Sequence, residues 1–274
     1  MSHRERRPSR KCAFCGAGKL SKEHVWSDWA KDILPRSAGS QQFFYQQWPG
    51  DAPQLRQTTD RQGNITGTKL RVVCERCNNG WMSVVESQAR EVVSAVMTGR
   101  PMMLTRQPRE LLRQWLTLKL IVLDASRPDH QVFLEDERRA FMEKRLSPAT
   151  LKLWLVACGE PPWNSAYRAQ TQSIGDNPRD PMTPMPNVKM LTWGIGDAVV
   201  IAHYQRVVNM KIDFNNGYFA KQLLPDRGIA LSWPPEGRIT AKQAEESARA
   251  LDKLYDDPNM RFRRFDEPLV ETQP

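Results

Sequence analysis

The sequence has no run of about eighteen consecutive apolar residues, the length that a membrane-spanning helix needs. The first eleven residues are basic and are not followed by an apolar segment, so no secretory signal is expected either. We therefore expect a cytoplasmic chain, with no membrane partner, whose thiols stay reduced. Reduced thiols favour a metal site over disulfide bonds.

Soft metal ligands are few, because the 274 residues include only five cysteines and four histidines. Four cysteines form two Cys-x-x-Cys pairs, at Cys12 and Cys15 and again at Cys74 and Cys77. Each pair turns tightly enough to direct both sulfurs to one point, and a tetrahedral structural Zn²⁺ ion takes four thiolates. Two unrelated reduced pairs, or a redox-active pair, are the alternatives. Cys158 is expected to be a small buried residue.

A zinc ion held by both pairs would join two segments that are distant in the sequence. Glu23 and His24 follow the first pair, and Asn78 follows the second pair directly. The predicted zinc site therefore places these three side chains near one another. A histidine that only packs within the zinc module is the alternative for His24. His130 and His203 are isolated in the sequence, and His203 is expected to be structural.

Three short motifs carry a resemblance to a known family. They are Cys-x-x-Cys-Gly from Cys12, Ser-Lys-Glu-His-Val-Trp from Ser21, and Cys-x-x-Cys-Asn-Asn-Gly-Trp from Cys74. Together they resemble the zinc-binding branch of the HNH endonucleases, which are ββα-metal nucleases. The resemblance covers residues 12 to about 97 and implies an N-terminal ββα-metal module.

The resemblance also implies a role for each matching residue. Glu23 is expected to bind a catalytic Mg²⁺ or Mn²⁺ ion, His24 to activate water as the general base, and Asn78 to be the second metal ligand. Asn79 and Glu86 are the candidates for a third ligand, because no His or Asn follows Asn78 at helical spacing. Oxygen ligands suit Mg²⁺ or Mn²⁺, whereas soft thiolates suit zinc. Glu86 also matches the last position of a capping box, which is its structural alternative.

The net charge of +9 is concentrated in the first third of the chain. Residues 1–100 carry 16 Lys or Arg against 9 Asp or Glu. This imbalance favours a polyanionic partner such as duplex or branched DNA, bound through its phosphates. A basic surface that only aids solubility is the alternative. The candidate phosphate contacts are Arg4, Arg6, Arg7, Arg10, Lys11, Lys22 and Arg76.

We expect an α+β protein with two domains. Residues 1–11 are predicted to be a flexible arm, 12–100 an HNH-like domain with an insertion at 36–68, 101–257 an α+β domain with helices and a small antiparallel sheet, and 258–274 a polar tail. Hydrophobic periodicity predicts a short helix that follows His24 and ends at Leu34, helices at 82–97, 108–124, 135–146 and 240–255, and strands at 43–45, 69–73, 151–157, 190–193 and 198–204.

Two functions follow from these patterns. The first is a metal-dependent endonuclease that hydrolyses phosphodiester bonds in DNA. The second is a zinc-stabilised nucleic-acid-binding or interaction protein with a degenerate, inactive site. One such site cuts one strand, so cutting both strands would need a dimer, and the oligomeric state stays open.

Overall fold

The structure is a computed structural model, and it describes residues 11–33, 39–47, 54–62, 69–159, 165–174, 186–207, 220–224 and 228–248. The described chain mixes helices and strands, as predicted. The strands are β1 Leu20–His24, β2 Gly39–Gln47, β3 Gln54–Gln62, β4 Lys69–Cys74, β5 Met102–Leu104, β6 Lys152–Ala157, β7 Ser165–Ile174, β8 Val188–Gly194, β9 Ala198–Gln205, β10 Lys221–Leu224 and β11 Leu231–Trp233. The α-helices are α1 Glu75–Cys77, α2 Ser83–Met97, α3 Arg106–Ala125, α4 Glu135–Lys144 and α5 Ala241–Ala248. None of the described helices combines the length and the apolar character needed to cross a membrane.

The largest sheet has seven strands in the order β10-β6-β9-β8-β7-β2-β3. All neighbours are antiparallel except β2 and β7, which run parallel. Strands β8 and β9 are buried along almost their whole length, because both faces of the sheet are covered. Leu191 and Val200 belong to the main core with α3, whereas Met190 and Ile201 pack with α5 on the opposite face.

The N-terminal segment forms a second, smaller sheet from β1 and β4. The two strands are antiparallel, with Leu20 opposite Cys74 and His24 opposite Lys69, and the register shifts between Ser21 and Glu23. After β4 the chain continues through α1 and a π-helical turn at Asn78–Met82 into α2. This local arrangement is two strands followed by a helix.

One continuous apolar core spans the domain boundary predicted at residue 100. It runs from Cys12 to Trp233 and includes side chains from β4, α2, α3 and the large sheet. Trp26 lies at its centre, with ring centroids 5.9 Å from Trp115 of α3 and 5.6 Å from Trp193 of β8. The segment that carries the four paired cysteines therefore shares a hydrophobic core with α3.

Most predicted elements appear within a few residues of their predicted bounds, and the strand predicted at 43–45 lies within the longer β2. The segment after His24 differs, because it contains one 3-10 helix at Asp28–Asp32 in place of a longer helix. Val25 and Trp26 are buried before that turn begins, so the chain enters the core before it can start a helix. The arm at 1–10, Leu34, the tail at 258–274 and most of the predicted loop at 175–187 lie outside the described residues.

Candidate metal centre and histidine site

The four cysteines of the two pairs lie together, as predicted. Their sulfur atoms are all within 4.8 Å of one another, and Cys15 Sγ is 3.5 Å from Cys74 Sγ. A tetrahedron with Zn–S distances of ~2.3 Å has edges of about 3.8 Å, which matches this spacing. None of the five cysteines is in a disulfide bond. The cluster could hold a metal ion such as zinc.

Local structure explains why these sulfurs converge. In the first pair, the backbone N–H of Cys12 donates to Ala17 O at 2.8 Å, and that of Gly16 donates to Cys12 O at 3.0 Å. Gly16 has a φ of 74°, a left-handed conformation that glycine adopts at little cost. The second pair begins at the last residue of β4 and continues into α1. The pairing of β1 with β4 then brings the two turns together.

The pKa values of three thiols in the cluster are shifted, and not all in the same direction. Burial acts to raise the pKa of Cys15, but hydrogen bonds from the Ala17 backbone and from the other cysteines outweigh it and lower that pKa to about 6. Burial raises the pKa of Cys74 and of Cys77. A bound cation would stabilise all four thiolates, so metal binding releases protons here.

Asn78 ties the second cysteine pair to β1. Its side-chain Nδ2 donates to Ser21 Oγ at 3.3 Å and to Lys22 O at 3.2 Å. These bonds fall at the irregular register between Ser21 and Glu23, where the ladder of strand hydrogen bonds is interrupted. Asn78 therefore holds the strand end that carries His24.

His24 is half-buried and lies at the C-terminal end of β1. Its Nε2 is 3.2 Å from Asp28 Oδ1, and Asp28 itself is exposed. Burial lowers the pKa of His24, and the charge of Lys69 lowers it further, whereas Asp28 opposes the change. If Nε2 carries the proton that points to Asp28, Nδ1 keeps a free lone pair and can accept a proton.

Glu23 faces the opposite way from His24, because successive residues of a strand point to opposite faces. Its carboxylate is 4% exposed and accepts a hydrogen bond of 2.8 Å from Lys119 Nζ of α3. The same ammonium group also donates to Glu86 Oε1 and to the backbone oxygen of His24 at 3.1 Å. The structure therefore brings Glu23 and Glu86 together around Lys119.

Burial and the neighbouring charges act on the pKa values of Lys119 and Glu23 to different extents. Burial acts to lower the pKa of Lys119, but Glu23 and Glu86 outweigh it and raise that pKa. Burial raises the pKa of Glu23, and Lys119 only partly offsets this. One ammonium therefore hydrogen-bonds to two carboxyl groups, and the pKa of Glu23 stays above its ordinary value.

The remaining candidate ligands and contacts are dispersed. Asn79 is exposed on the π-helical turn, and Glu86 makes no capping box, because the start of α2 has no side-chain cap. Lys11, Lys22 and Arg76 are exposed, while the candidate contacts Arg4, Arg6, Arg7 and Arg10 lie outside the described residues. Among the residues that the structure describes, the cysteine tetrad is the single group of three or more Cys, His, Asp or Glu ligands close enough to bind one ion.

Sequence reasoning missed three residues of this region. Asp28 lies four positions after His24, a spacing that could have signalled the pair. Lys119 and Trp115 come from α3, and no local pattern connects them with β1. Trp115 Nε1 donates to Ser27 Oγ at 3.0 Å, and Ser27 Oγ donates to Glu86 Oε1 at 2.8 Å.

No protein-family model, no curated protein and no solved structure matches this chain. The assignment to a family therefore stays a resemblance that depends on the sequence motifs alone.

Proposed function

We propose that this chain is an HNH-type endonuclease that hydrolyses phosphodiester bonds in DNA, with a structural Zn²⁺ ion in the cysteine tetrad and His24 as the general base. The observation that carries the proposal is the position of His24. Its half-buried imidazole lies beside Asp28 at the end of a strand that is held by the cysteine cluster and by Asn78.

The surroundings of His24 suit a phosphodiester. Lys69 lies directly opposite His24 in the β1–β4 pair, and Arg71 is exposed two residues further along β4. Lys22 is exposed on β1. These cations line the outer side of the small sheet, where they can bind the phosphates on either side of the bond to be cleaved.

His24 and its neighbours can carry out the proton transfer that hydrolysis requires. In the proposed reaction, Nδ1 takes a proton from water, the water oxygen bonds to phosphorus, and the bond from phosphorus to the leaving oxygen breaks. The leaving oxygen then takes a proton from solvent. Asp28 accepts the hydrogen bond from Nε2 and so stabilises the imidazolium that forms.

The residues predicted to hold Mg²⁺ or Mn²⁺ do not fit that role as they are arranged. Glu23 is buried and bound to Lys119, and Glu86 is bound to the same ammonium. Asn78 can offer only its amide oxygen, because its amide nitrogen donates to Lys22 O, and one neutral oxygen without a carboxylate is a poor site for a divalent ion. We therefore derive no step through a divalent ion, and the metal requirement that the resemblance implies is left to experiment.

The test is cleavage of supercoiled, single-stranded and branched DNA by zinc-loaded protein, with Mg²⁺, Mn²⁺ or EDTA. Wild type should cut at least one substrate. His24→Ala should reduce the rate by roughly 10²- to 10⁴-fold, the usual contribution of a general base. Zinc content and melting temperature should stay unchanged in His24→Ala, which separates loss of chemistry from loss of folding. Arg139→Ala, at an exposed residue of α4 that pairs with Glu135, is the control and should keep its activity.

The contacts of Glu23 favour a second candidate function. Because the predicted metal ligand is already paired with Lys119, the chain also fits a zinc-stabilised nucleic-acid-binding protein without catalysis. If wild type binds DNA in a gel-shift assay but cuts none of the three substrates with any ion, the nuclease proposal is wrong and this second function replaces it.

A further inference from the structure

Lys119 occupies an unusual place for a charged residue. It lies in the middle of α3, where its side chain is 1% exposed and its neighbours in the helix are buried apolar residues such as Leu116 and Leu120. A lysine is seldom buried this deeply unless its charge is fully paired. Its partners should therefore reveal its role.

The ammonium group of Lys119 has one acceptor for each of its three protons. They are Glu23 Oε1 at 2.8 Å, the backbone oxygen of His24 at 3.1 Å, and Glu86 Oε1. Two of these acceptors lie at the end of β1, and the third lies on α2. Lys119 thus connects α3 with β1 and α2 at one point, next to the backbone oxygen of His24.

A second contact from α3 strengthens this connection. Trp115 precedes Lys119 by four residues and therefore lies on the same face of the helix. Its indole N–H donates to Ser27, which in turn donates to Glu86. The chain on both sides of His24 is consequently attached to α3. Lys119 holds the carboxylate of Glu23 and the backbone oxygen of His24, and Trp115 holds the hydroxyl of Ser27.

We propose that Lys119 is a positioning residue: its ammonium stands between Glu23 and Glu86, takes the role of the cation that these carboxylates would otherwise bind, and so fixes His24. The effect on catalysis rests on the proposed function, whereas the exclusion of a divalent ion from Glu23 does not. A Mn²⁺ ion could reach Glu23 only by displacing an ammonium that is completely hydrogen-bonded and shielded from water.

The first experiment measures Mn²⁺ binding to zinc-loaded protein by electron paramagnetic resonance. Wild type and Glu23→Gln should bind Mn²⁺ with the same affinity, because the carboxylate of Glu23 is bound to the ammonium of Lys119 and does not serve as a Mn²⁺ ligand. Loss of a true ligand would weaken Mn²⁺ on the order of tenfold or more. Such a loss in Glu23→Gln would overturn the proposal, and this result does not depend on whether the protein cuts DNA.

The second experiment follows the ring resonance of His24 by NMR, identified by its absence in His24→Gln. Lys119→Met and Glu23→Gln should both shift it, because the first removes the hydrogen bonds to Glu23 and to the His24 oxygen and the second removes the negative charge that Lys119 faces. The matched control is Lys189→Met, which breaks another buried ion pair of α3, the one with Asp124, and should leave the resonance unchanged.

Two outcomes of the NMR experiment decide against the proposal. If Glu23→Gln leaves the resonance in place, or if Lys189→Met shifts it equally, Lys119 does not position His24. Should Lys119→Met fail to fold, Glu23→Gln still decides, since it keeps the shape of the side chain and the pairing of Lys119 with Glu86. Where wild type cuts DNA, Glu23→Gln should lower kcat and leave KM for DNA unchanged.

Discussion

Loss of metal from the cysteine tetrad should unfold the N-terminal part of the protein, and Cys77→Ser tests this most directly. Cys77 is 3% exposed and begins the turn that leads to Asn78 and α2. A serine hydroxyl is a poor zinc ligand, and it would stand as a buried polar group among three sulfurs. The variant therefore loses a ligand and gains an unpaired hydroxyl.

The magnitude follows from the coupling of metal binding to folding. Structural zinc sites bind with an apparent ~10–16 kcal/mol, which is as large as the ~5–15 kcal/mol net stability of a typical domain. Even a loss of ~4 kcal/mol lowers Tm by about 10 °C in a chain of this size. Because the cysteines share a core with Trp26 and Trp115, the effect should extend into α3.

The assay combines elemental analysis with thermal unfolding. Wild type should contain about one zinc ion per chain, the number that four thiolates bind, and Cys77→Ser should lose it together with the fall in Tm. Cys158→Ala is the matched control, because Cys158 is a buried cysteine that packs outside the tetrad and is in no disulfide bond. If Cys77→Ser keeps its zinc and its melting temperature, the tetrad is not a metal site and the reasoning fails.

Two further predictions concern stability. His203 is fully buried, and burial, helped by the charge of Lys152, lowers its pKa from 6.5 to about 4. Below pH 6.5 the unfolded chain binds a proton that the folded chain does not, so stability should fall by about 1.4 kcal/mol per pH unit down to about pH 4. Urea unfolding at several pH values would measure this slope, and His203→Leu should remove that part of it; an equal slope in both proteins would contradict the assignment. Asn78→Ala should cost ~1–2 kcal/mol through the loss of its two hydrogen bonds to β1, whereas Asn79→Ala should change stability by less than ~0.5 kcal/mol; equal effects in denaturant unfolding would show that Asn78 does not hold the strand.

The sequence was sufficient to predict the cysteine cluster, because the signal is local. Each Cys-x-x-Cys pair determines its own turn, and a single ion is enough to explain why both pairs are present. The same holds for α2, α3 and the β8–β9 hairpin, whose periodicity is strong over a short stretch. Such features depend on neighbouring residues, so one sequence contains the information needed.

The environment of Glu23 could not be predicted in this way. Its partner Lys119 is 96 residues away in the sequence, and the helix pattern that places Lys119 on the inner face of α3 does not show which residue it meets there. The direction of the Glu23 side chain also depends on the irregular strand register beside Ser21, and no residue pattern predicts that irregularity. The parallel pairing of β2 with β7 was missed for the same reason, since it joins strands more than a hundred residues apart.

Helix α3 connects these observations. One face of it holds the end of β1 through Lys119 and Ser27 through Trp115, and its last turn carries Asp124, which pairs with Lys189 of β8 in the large sheet. A residue pattern confined to residues 12–97 resembles a self-contained module, yet the side chains that fix the backbone around His24 come from beyond that range. The position of His24 is therefore a property of the shared core, and any account of its chemistry has to include α3.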